Sequence, residues 1–520
     1  MNTEDKRTAL ISVTDKSGLE GLAAALTEKG YKILSSSGTK KFLEEHGFEA
    51  DEIATYAGSP ELLGGRVKTL HPKIHAGILA DRDQSAHVED LNAHGIRPID
   101  LVIVNLYPFI EKYKSGGLSE REMVEFIDIG GITLLRAAAK NFHHVAVVTN
   151  PADYETVAAE IRKDGTTALD TRRRLAREAF ALTTAYDTAI ADFFSDNLPN
   201  DRTPQRMSLA LEKMSDLRYG ENPHQHAAVY ATGRNAAVLS IEKHQGKELS
   251  YNNYLDLIAA HTIGRDMGRG SVTIIKHTNP CGVAWCGDEM TSYKRALSTD
   301  PVSAFGGIVA VNGTVDEALA IEFNKIFLEV VLARQFTADA LGVLAKKKKL
   351  RVASLADKYW DEALQGEFGL FTEGLFLYQD ADLGFPELNE VQVVTKRQPT
   401  AEELKACHMA WKVAKHVKSN SIVIADEEGT IGVGAGQMSR IDSSHIATRK
   451  AFDADFSLVG KVASSDAFFP FPDGVVTLAK SGITAVIQPG GSIRDQDVID
   501  AADEEGISML FTGRRHFRHS

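Results

Sequence analysis

Cysteine is scarce: Cys281, Cys286 and Cys407 are the only three in 520 residues. That excludes a disulfide framework and leaves reduced thiols as the expectation. No stretch approaches the apolar run that a membrane span needs, so no membrane partner is expected. The start, Met1 to Arg7, is short, mostly polar and without the apolar core of a secretory signal, which makes the cytoplasm the expected location. Positive charge is also in deficit, with 58 Lys and Arg against 71 Asp and Glu and a formal net charge of −13. This opposes binding to polymeric nucleic acid, while a local basic patch can still collect a phosphorylated small molecule. What is present is ordinary globular usage, 43% hydrophobic and 25% charged, in a chain longer than single cores usually grow, so two or more domains are expected.

The pattern along the chain alternates between α and β. An apolar run from Ala9 to Val13, the stretch Thr14-Asp15-Lys16-Ser17-Gly18 and a helical pattern carrying Leu19, Leu22, Ala25 and Leu26 predict strand, loop and helix. A second run, Tyr31 to Leu34, ends in Ser35-Ser36-Ser37-Gly38-Thr39 and leads into a helix around Lys40 to Glu45. Together they make a βαβ unit whose small-residue loops lie at the carboxyl ends of parallel strands. Leu101 to Asn105 and Val145 to Thr149 continue the alternation, predicting an open α/β sheet with its ligand above the strand ends. The periodicity stops in the polar, proline-bearing stretch from Leu198 to Gln205, the expected linker. Beyond it, the runs Val272 to Ile275, Gly307 to Val311, Ser421 to Ala425 and Ala485 to Ile487 alternate with helical segments, with length enough for two subdomains. The basic block Lys346 to Lys349 is expected to be a solvated helix end or loop.

Neither Ser12 to Gly18 nor Ser35 to Thr39 completes a Walker or dinucleotide fingerprint. Both place hydroxyls and backbone N–H groups ahead of a helix, where phosphate is held, with simple helix capping as the alternative. In Gly64-Gly65-Arg66-Val67-Lys68-Thr69-Leu70-His71-Pro72, two glycines let a ligand approach the backbone and Arg66 and Lys68 supply charge for an anion, unless the run is a plain turn. Asn105-Leu106-Tyr107-Pro108 follows a strand, and Asp128-Ile129-Gly130-Gly131 leads into a helix carrying Arg136 and Lys140. A tyrosine, an aspartate and lysines in one crevice suit proton transfer with charge stabilisation; taken separately they read as a buried tyrosine and a capping aspartate. Lys276-His277-Thr278-Asn279-Pro280-Cys281-Gly282 follows Val272 to Ile275, at a strand end where α/β sheets present catalytic groups. His277 suits proton transfer near neutral pH and Lys276 an oxyanion, against a histidine that is merely hydrogen-bonded. Arg218 to His224, Ser303 to Gly307, Ser419 to Ser421 and Gly432 to Gln437 are further small-residue runs that also fit ordinary turns. Pro280-Cys281 with Cys286 hints at half of a zinc-deaminase motif, but four residues separate the cysteines and no His-x-Glu stands upstream, so no metal is expected.

Together, and in this order, these segments closely resemble the bifunctional phosphoribosylaminoimidazolecarboxamide formyltransferase and IMP cyclohydrolase family of purine biosynthesis, over nearly the whole chain. The most specific pieces are Gly64 to Pro72, Asp128 to Asn141, Leu217 to Gln225, Lys276 to Ala284, Ser303 to Gly307 and Gly434 to Arg440. The resemblance implies an α/β protein. Residues 1–198 would be a Rossmann-like cyclohydrolase domain similar to methylglyoxal synthase, 199–206 a linker, and 207–520 a formyltransferase domain. The latter would consist of two αβα subdomains similar in fold to cytidine deaminases but without their zinc.

In the first domain the resemblance places Ser12, Lys16, Ser37, Gly38, Thr39, Arg66, Lys68 and Thr69 around phosphate and ribose. Tyr107, Asp128 and Lys140 would surround the closing ring, with Lys68 stabilising an oxyanion while Asp128 and Lys140 move protons. Ser37 stands where many relatives carry a second glycine. In the second domain it implies formyl transfer from the co-substrate 10-formyltetrahydrofolate to an aromatic amine. His277 would be the base, Lys276 and Asn420 would polarise the formyl carbonyl, and His224 would assist. Arg218, Tyr219, Asn253, Gln437, Arg440 and Arg515 would hold the ribotide, and Phe305 and Asp473 the folate. A homodimer whose transformylase sites draw on both chains is implied as well. Two other readings predict different observations: a zinc-dependent deaminase-like enzyme predicts about one zinc per chain, and a non-catalytic ribotide sensor predicts binding that survives His277→Ala without turnover.

Overall fold

The structure, a computed structural model, describes residues 7–58, 63, 67, 69–196, 203–232, 240–361, 367–385 and 390–519. The chain divides into two units, one running to Glu212 with a short piece at Thr232, the other from Lys213 onward. The linker expected at 199–206 falls partly outside the described residues, and the division comes a few residues beyond it.

In the first unit, β1 (Thr8–Ser12), β2 (Lys32–Ser35), β3 (Asp51–Glu52), β4 (Leu101–Val104) and β5 (Ala146–Val148) form a parallel sheet in the order β3-β2-β1-β4-β5. The central strands β1 and β4 are buried almost end to end, which is why they read as continuous apolar runs and not as alternation. Helix Leu19–Glu28 packs Leu19, Leu22, Ala25 and Leu26 into this core, and helix Gly130–Lys140 contributes Leu134, Leu135 and Ala138. A smaller core of Phe109, Met123, Tyr186 and Phe193 forms along the long helix Leu169–Asp196. After β3 the chain returns to the other side of β1 to make β4, so the topological switch lies between β1 and β4 and a crevice opens at their carboxyl ends. Asn105 spans it: Oδ1 accepts from the N–H groups of Thr14 at 2.5 Å and Asp15 at 3.2 Å, and Nδ2 donates to the Asp15 carbonyl at 2.7 Å.

A two-stranded ribbon, β6 (Leu211–Leu217) with β7 (Ala227–Thr232), crosses the division. Then come β8 (Glu242–Gln245), helix Tyr251–Met267, β9 (Val272–Lys276), β10 (Asn279–Ala284), helix Glu289–Thr299, β11 (Ile308–Val315), β12 (Val330–Phe336) and β13 (Arg351–Ser354). Their sheet has the order β10-β9-β11-β12-β13-β8. A second ribbon, β14 (Glu367–Thr372) with β15 (Leu375–Asp380), precedes β16 (Gln392–Val393), helix Ala401–Ala414, β17 (Ile422–Ala425), β18 (Thr430–Gly434), helix Arg440–Asp453, β19 (Lys461–Ser465), β20 (Ile483–Gln488) and β21 (Ser508–Phe511). The last six strands pair as β18-β17-β19-β20-β21-β16. Order and direction match the earlier sheet throughout: an antiparallel hairpin, an antiparallel neighbour, two parallel pairs and an antiparallel outer strand. These are the two expected αβα subdomains, one pattern used twice. Leu257, Ala260, Ile263 and Trp360 share a core with Ala406, Ala410 and Trp411, and the sheet edges meet where the Val283 N–H donates to Thr430 Oγ1 at 3.0 Å.

Two local expectations change. The sequence places the segment Lys276 to Gly282 after the strand end, yet Lys276 still belongs to β9, only His277 and Thr278 turn, and Asn279–Ala284 is an edge strand. Pro280 is tolerated because it sits at the edge and at a register shift, where no ladder N–H is required. Lys347 in the basic block is not simply solvated, since its ammonium turns inward to the Ile326 carbonyl. Among the described residues, no helix is long and apolar enough to cross a membrane.

Candidate active sites

In the first unit, the expected phosphate loops lie at the carboxyl ends of β1 and β2. Ser12 ends β1 and its hydroxyl donates to Ser36 Oγ at 3.1 Å. Ser36 precedes helix Ser37–Glu45 in an extended conformation without forming a side-chain cap. The amides of Ser37, Gly38 and Thr39 therefore begin a helix with no side-chain acceptor, the arrangement that binds an anion. Thr39 is buried, and its hydroxyl accepts from the Val13 N–H at 3.1 Å and donates to the Val13 carbonyl at 3.2 Å. Its side chain thus ties the two loops together, and its backbone is what it can offer a ligand. The Ser37 hydroxyl donates to Glu52 at 2.8 Å, and Lys16 places one of its three ammonium hydrogens on the Thr14 carbonyl at 3.3 Å. Gly64, Gly65, Arg66 and Lys68 lie outside the described residues.

Thr69 is buried against the start of helix Gly130–Lys140, where a Cβ on Gly130 would meet its Oγ1 at 2.2 Å. Asp128 Oδ1 accepts the Gly131 N–H at 2.7 Å, and the Asp128 N–H donates to Tyr186 Oη at 2.9 Å. A Cβ on Gly131 would meet Asp128 Oδ2 at 2.5 Å and Leu106 Cδ2 at 3.0 Å, so this glycine allows the aspartate and the post-β4 loop to close on one point. Asp128 is therefore a cap at the crevice, and Tyr107 beside Leu106 is 48% exposed, not a core tyrosine. Lys140 does not join them. It ends the eleven-residue helix that Asp128 caps, about 15 Å along the axis from its start, and lines a groove with His75, Arg136 and Arg173.

In the second unit, His277-Thr278 is a two-residue turn between β9 and β10, with Lys276 opposite Asn279. Both residues have positive φ, 52° and 61°, the hairpin geometry that Asn-Gly usually supplies. For a histidine and a β-branched threonine it costs roughly 1–3 kcal/mol each and persists only where the surroundings hold it. Asp256, on helix Tyr251–Met267, accepts the Thr278 N–H at 2.6 Å. Asn279 Oδ1 accepts the Lys418 N–H at 3.1 Å, which brings the turn to the loop of the second subdomain that carries Ser419 and Asn420. Lys276 donates to the Phe305 carbonyl at 2.8 Å, and the Phe305 ring is 59% exposed beside Phe327. Burial holds the Asp256 carboxyl above its usual range, opposed by the Thr278 and His277 amides and by the charges of His277 and Lys418.

Asn420 is fully occupied. Its Oδ1 accepts from both terminal nitrogens of Arg440, at 3.1 and 3.0 Å, and Nδ2 donates to the carbonyls of Gln437 at 2.9 Å and Met438 at 3.1 Å. With both donors used, the geometry does not offer the amide to a formyl oxygen; it fixes the loop bearing Gln437. Arg440 is likewise a holder and not an exposed phosphate ligand: it is buried and pairs with Asp466 at 3.0 Å, a carboxylate that also accepts from Ser419 Oγ. Arg218 is exposed and stacks on Tyr219, with 4.7 Å to the ring centroid. The loop from Arg218 to Gln225 is tied to helix Tyr251–Met267 by Asn252 Nδ2 donating to the Glu221 carbonyl at 3.4 Å, and the next residue, Asn253, caps that helix together with Ser250. Gln437 donates to the Ala435 carbonyl, Arg515 lies over Phe517, and Asp473 accepts from the Gly474 N–H. Among the described residues no hydrogen bond or ion pair ties His224, Asp473 or Arg515 to the Lys276–His277 turn.

Burial pushes the Cys281 thiol up to about 12, so it stands protonated at neutral pH. The described ligand-type cluster, Asp81, Asp83 and His144, contains no cysteine. Asp256 and Asp466 escape sequence reasoning because each is a lone carboxylate with no motif around it; their partners come from distant segments.

The family model described as AICARFT/IMPCHase bienzyme matches residues 138–450, and the MGS-like domain model matches residues 18–133. The bifunctional purine biosynthesis protein PurH of Persephonella marina is 46% identical over 518 residues, 99% of this chain and 100% of that protein. Its namesake in Bacillus cereus is 45% identical over 516 residues, with 99% and 100% covered. A solved structure of ForH aligns with 36% of this chain and 98% of its own at 36% identity and a TM-score of 0.33. With a family model over more than half its length and relatives similar from end to end, the chain belongs to the AICARFT/IMPCHase bienzyme family.

Proposed function

We infer that the chain is a bifunctional enzyme of purine synthesis. It formylates aminoimidazole carboxamide ribotide in its second unit and closes the product to IMP in its first. The observation that carries this is end-to-end likeness to bifunctional purine biosynthesis proteins. The crevice between β1 and β4 and the buttressed Lys276–His277 turn are the places where the two reactions fit.

We propose 10-formyltetrahydrofolate as donor, with the exposed Phe305 ring beside Lys276 as a face for the pterin and Asp473 as acceptor for its N–H groups. The ribotide amine attacks the formyl carbon, His277 takes the amine proton, and Lys276 stabilises the oxyanion. Collapse breaks the bond to the folate nitrogen, which leaves with a proton. In the first unit the carboxamide nitrogen attacks the new formyl carbon and the carbonyl oxygen departs as water. The phosphate would rest on Ser12, Lys16 and the amides of Ser37 to Thr39, with Arg66 and Thr69 nearby. Tyr107 and Asp128 would move protons at the ring and Lys68 would stabilise the oxyanion; Lys140 keeps its role on the resemblance alone. Arg218, Tyr219, Asn253 and Gln437 hold the ribotide in the transformylase site, and the site is shared in a homodimer, where a second copy supplies His224 or Arg515. Exposed apolar residues on the two ribbons support such a partner: Met214, Tyr230, Phe371, Leu375 and Leu377 are each at least half exposed or close to it, and a two-stranded ribbon is marginal without packing. We place the enzyme in the cytoplasm.

The half-reactions test this separately. Lys276→Ala and His277→Ala lose folate release but still close supplied formamido ribotide, while Lys68→Ala does the reverse. Loss of both reactions in every variant contradicts the assignment of two sites.

A further inference from the structure

The His277–Thr278 turn has positive φ at both residues, and among the described residues the carboxylate beneath it makes no direct ion pair, although the charges of His277 and Lys418 act on it. Asp256 lies one turn along helix Tyr251–Met267 from Asn253 and is half-buried. Among the described residues it forms no ion pair with lysine or arginine; its acceptor capacity goes to the amides of the turn, with the Thr278 N–H at 2.6 Å. A half-buried carboxylate gains from hydrogen bonds that satisfy it, and charge-assisted bonds to N–H groups are about twice as strong as neutral ones. The remaining anchors act on either side of the turn. Lys276 holds the Phe305 carbonyl, and Asn279 holds the Lys418 amide and donates Nδ2 to the His277 carbonyl at 3.1 Å, so among the described residues Asp256 is the side chain that grips the amides of the two left-handed residues.

We propose that Asp256 is a positioning residue for formyl transfer: by gripping the amides of the His277–Thr278 turn it holds His277 at positive φ and aims its imidazole at the amine. This rests on the reading of His277 as the base. Without the grip, the turn can relax toward negative φ, which swings the imidazole away while leaving the ribotide contacts at Arg218 and Tyr219 in place. A displacement of about 1 Å at a catalytic group is enough for a loss of about 100-fold.

The test uses Asp256→Asn, which is isosteric and keeps one carbonyl acceptor, and Asp256→Ala, each alone and combined with His277→Ala in the full-length enzyme. The readouts are kcat and ribotide KM for formyl transfer, with ring closure measured in parallel. Asp256→Ala is expected to lower kcat by about 100-fold and Asp256→Asn by about tenfold, with KM changed less than about threefold and ring closure unchanged. In the His277→Ala background neither substitution lowers the rate further, because Asp256 acts through His277. The proposal is overturned if Asp256→Ala keeps kcat within about threefold of the parent, or if its loss is undiminished in the His277→Ala background. Should Asp256→Ala fail to fold, the same comparison with Asp256→Asn decides. If His277→Ala alone leaves formyl transfer intact, the reading of His277 as base fails, and the role of Asp256 goes with it.

Discussion

A threonine at φ 61° is a conformational choice that glycine would make more cheaply, and its presence beside His277 points to stability given up for a fixed imidazole. Thr278→Gly is expected to raise the stability of the second unit by about 1 kcal/mol in urea titration while lowering formyl-transfer kcat, because glycine frees the turn. A variant both less stable and fully active would contradict this account of the turn. Arg440 presents the opposite case. Its guanidinium joins the fully occupied Asn420 amide to Asp466, whose side chain has no exposed surface. Arg440→Met is expected to cost about 3–5 kcal/mol, because a buried carboxylate then lacks its cation. Chemical denaturation of the variant measures it. At this scale, Lys276 and His277 were legible in the sequence because a distinctive residue pair follows an apolar run. Asp256 and Asp466 were not, because their meaning lies in partners 22 and 26 residues away. Asn420 was visible in its motif, but that all its hydrogen-bonding groups are occupied could come only from coordinates.

Helix Gly130–Lys140 begins where the backbone, Asp128 and Leu106 crowd together, so its second glycine is a steric requirement. Gly131→Ala puts a Cβ 2.5 Å from Asp128 Oδ2. It is expected to cost about 1–2 kcal/mol and to depress ring closure, leaving formyl transfer unchanged. Parallel assays of the two reactions check it. The helices shared by the two subdomains carry a pH dependence. His261 packs edge-on against Trp360 at 4.8 Å, and His408 lies on helix Ala401–Ala414. Burial, helped by Arg265 at His261 and by Lys412 at His408, holds both imidazoles down to about 4, with the Tyr359 carbonyl and Asp266 opposing at His261. Between that value and about 6.5 the unfolded chain binds more protons than the folded one. The contribution is thus fully present above about 6.5 and is lost as pH falls toward 4. Urea titrations of the second unit should show stability declining over that window, with a shallower decline in His261→Phe.

Strands β1, β4, β9 and β17 were legible because burial on both faces makes continuous apolar runs. Strand β10 was hidden by Pro280 and Gly282, and β3, two residues long, is too short to leave a pattern. The repeated strand order leaves no trace in residue types, since each copy meets the same topology with different side chains: β8 is Glu-Lys-His-Gln, whereas its counterpart β16 is only Gln-Val.

For the whole molecule, a net charge of −13 opposes binding to a nucleic-acid polymer, consistent with small phosphorylated substrates. The two-domain reading followed from length and from the break in periodicity near residue 200, and the unit division at Glu212 lies close to it. The measurement that bears most directly on the central claim supplies purified protein with aminoimidazole carboxamide ribotide and 10-formyltetrahydrofolate and follows folate release and IMP together. The account predicts that both appear, IMP formed as folate is released, with His277→Ala stopping both and Lys68→Ala stopping only IMP. A wild-type chain that binds the ribotide and yields neither product contradicts it.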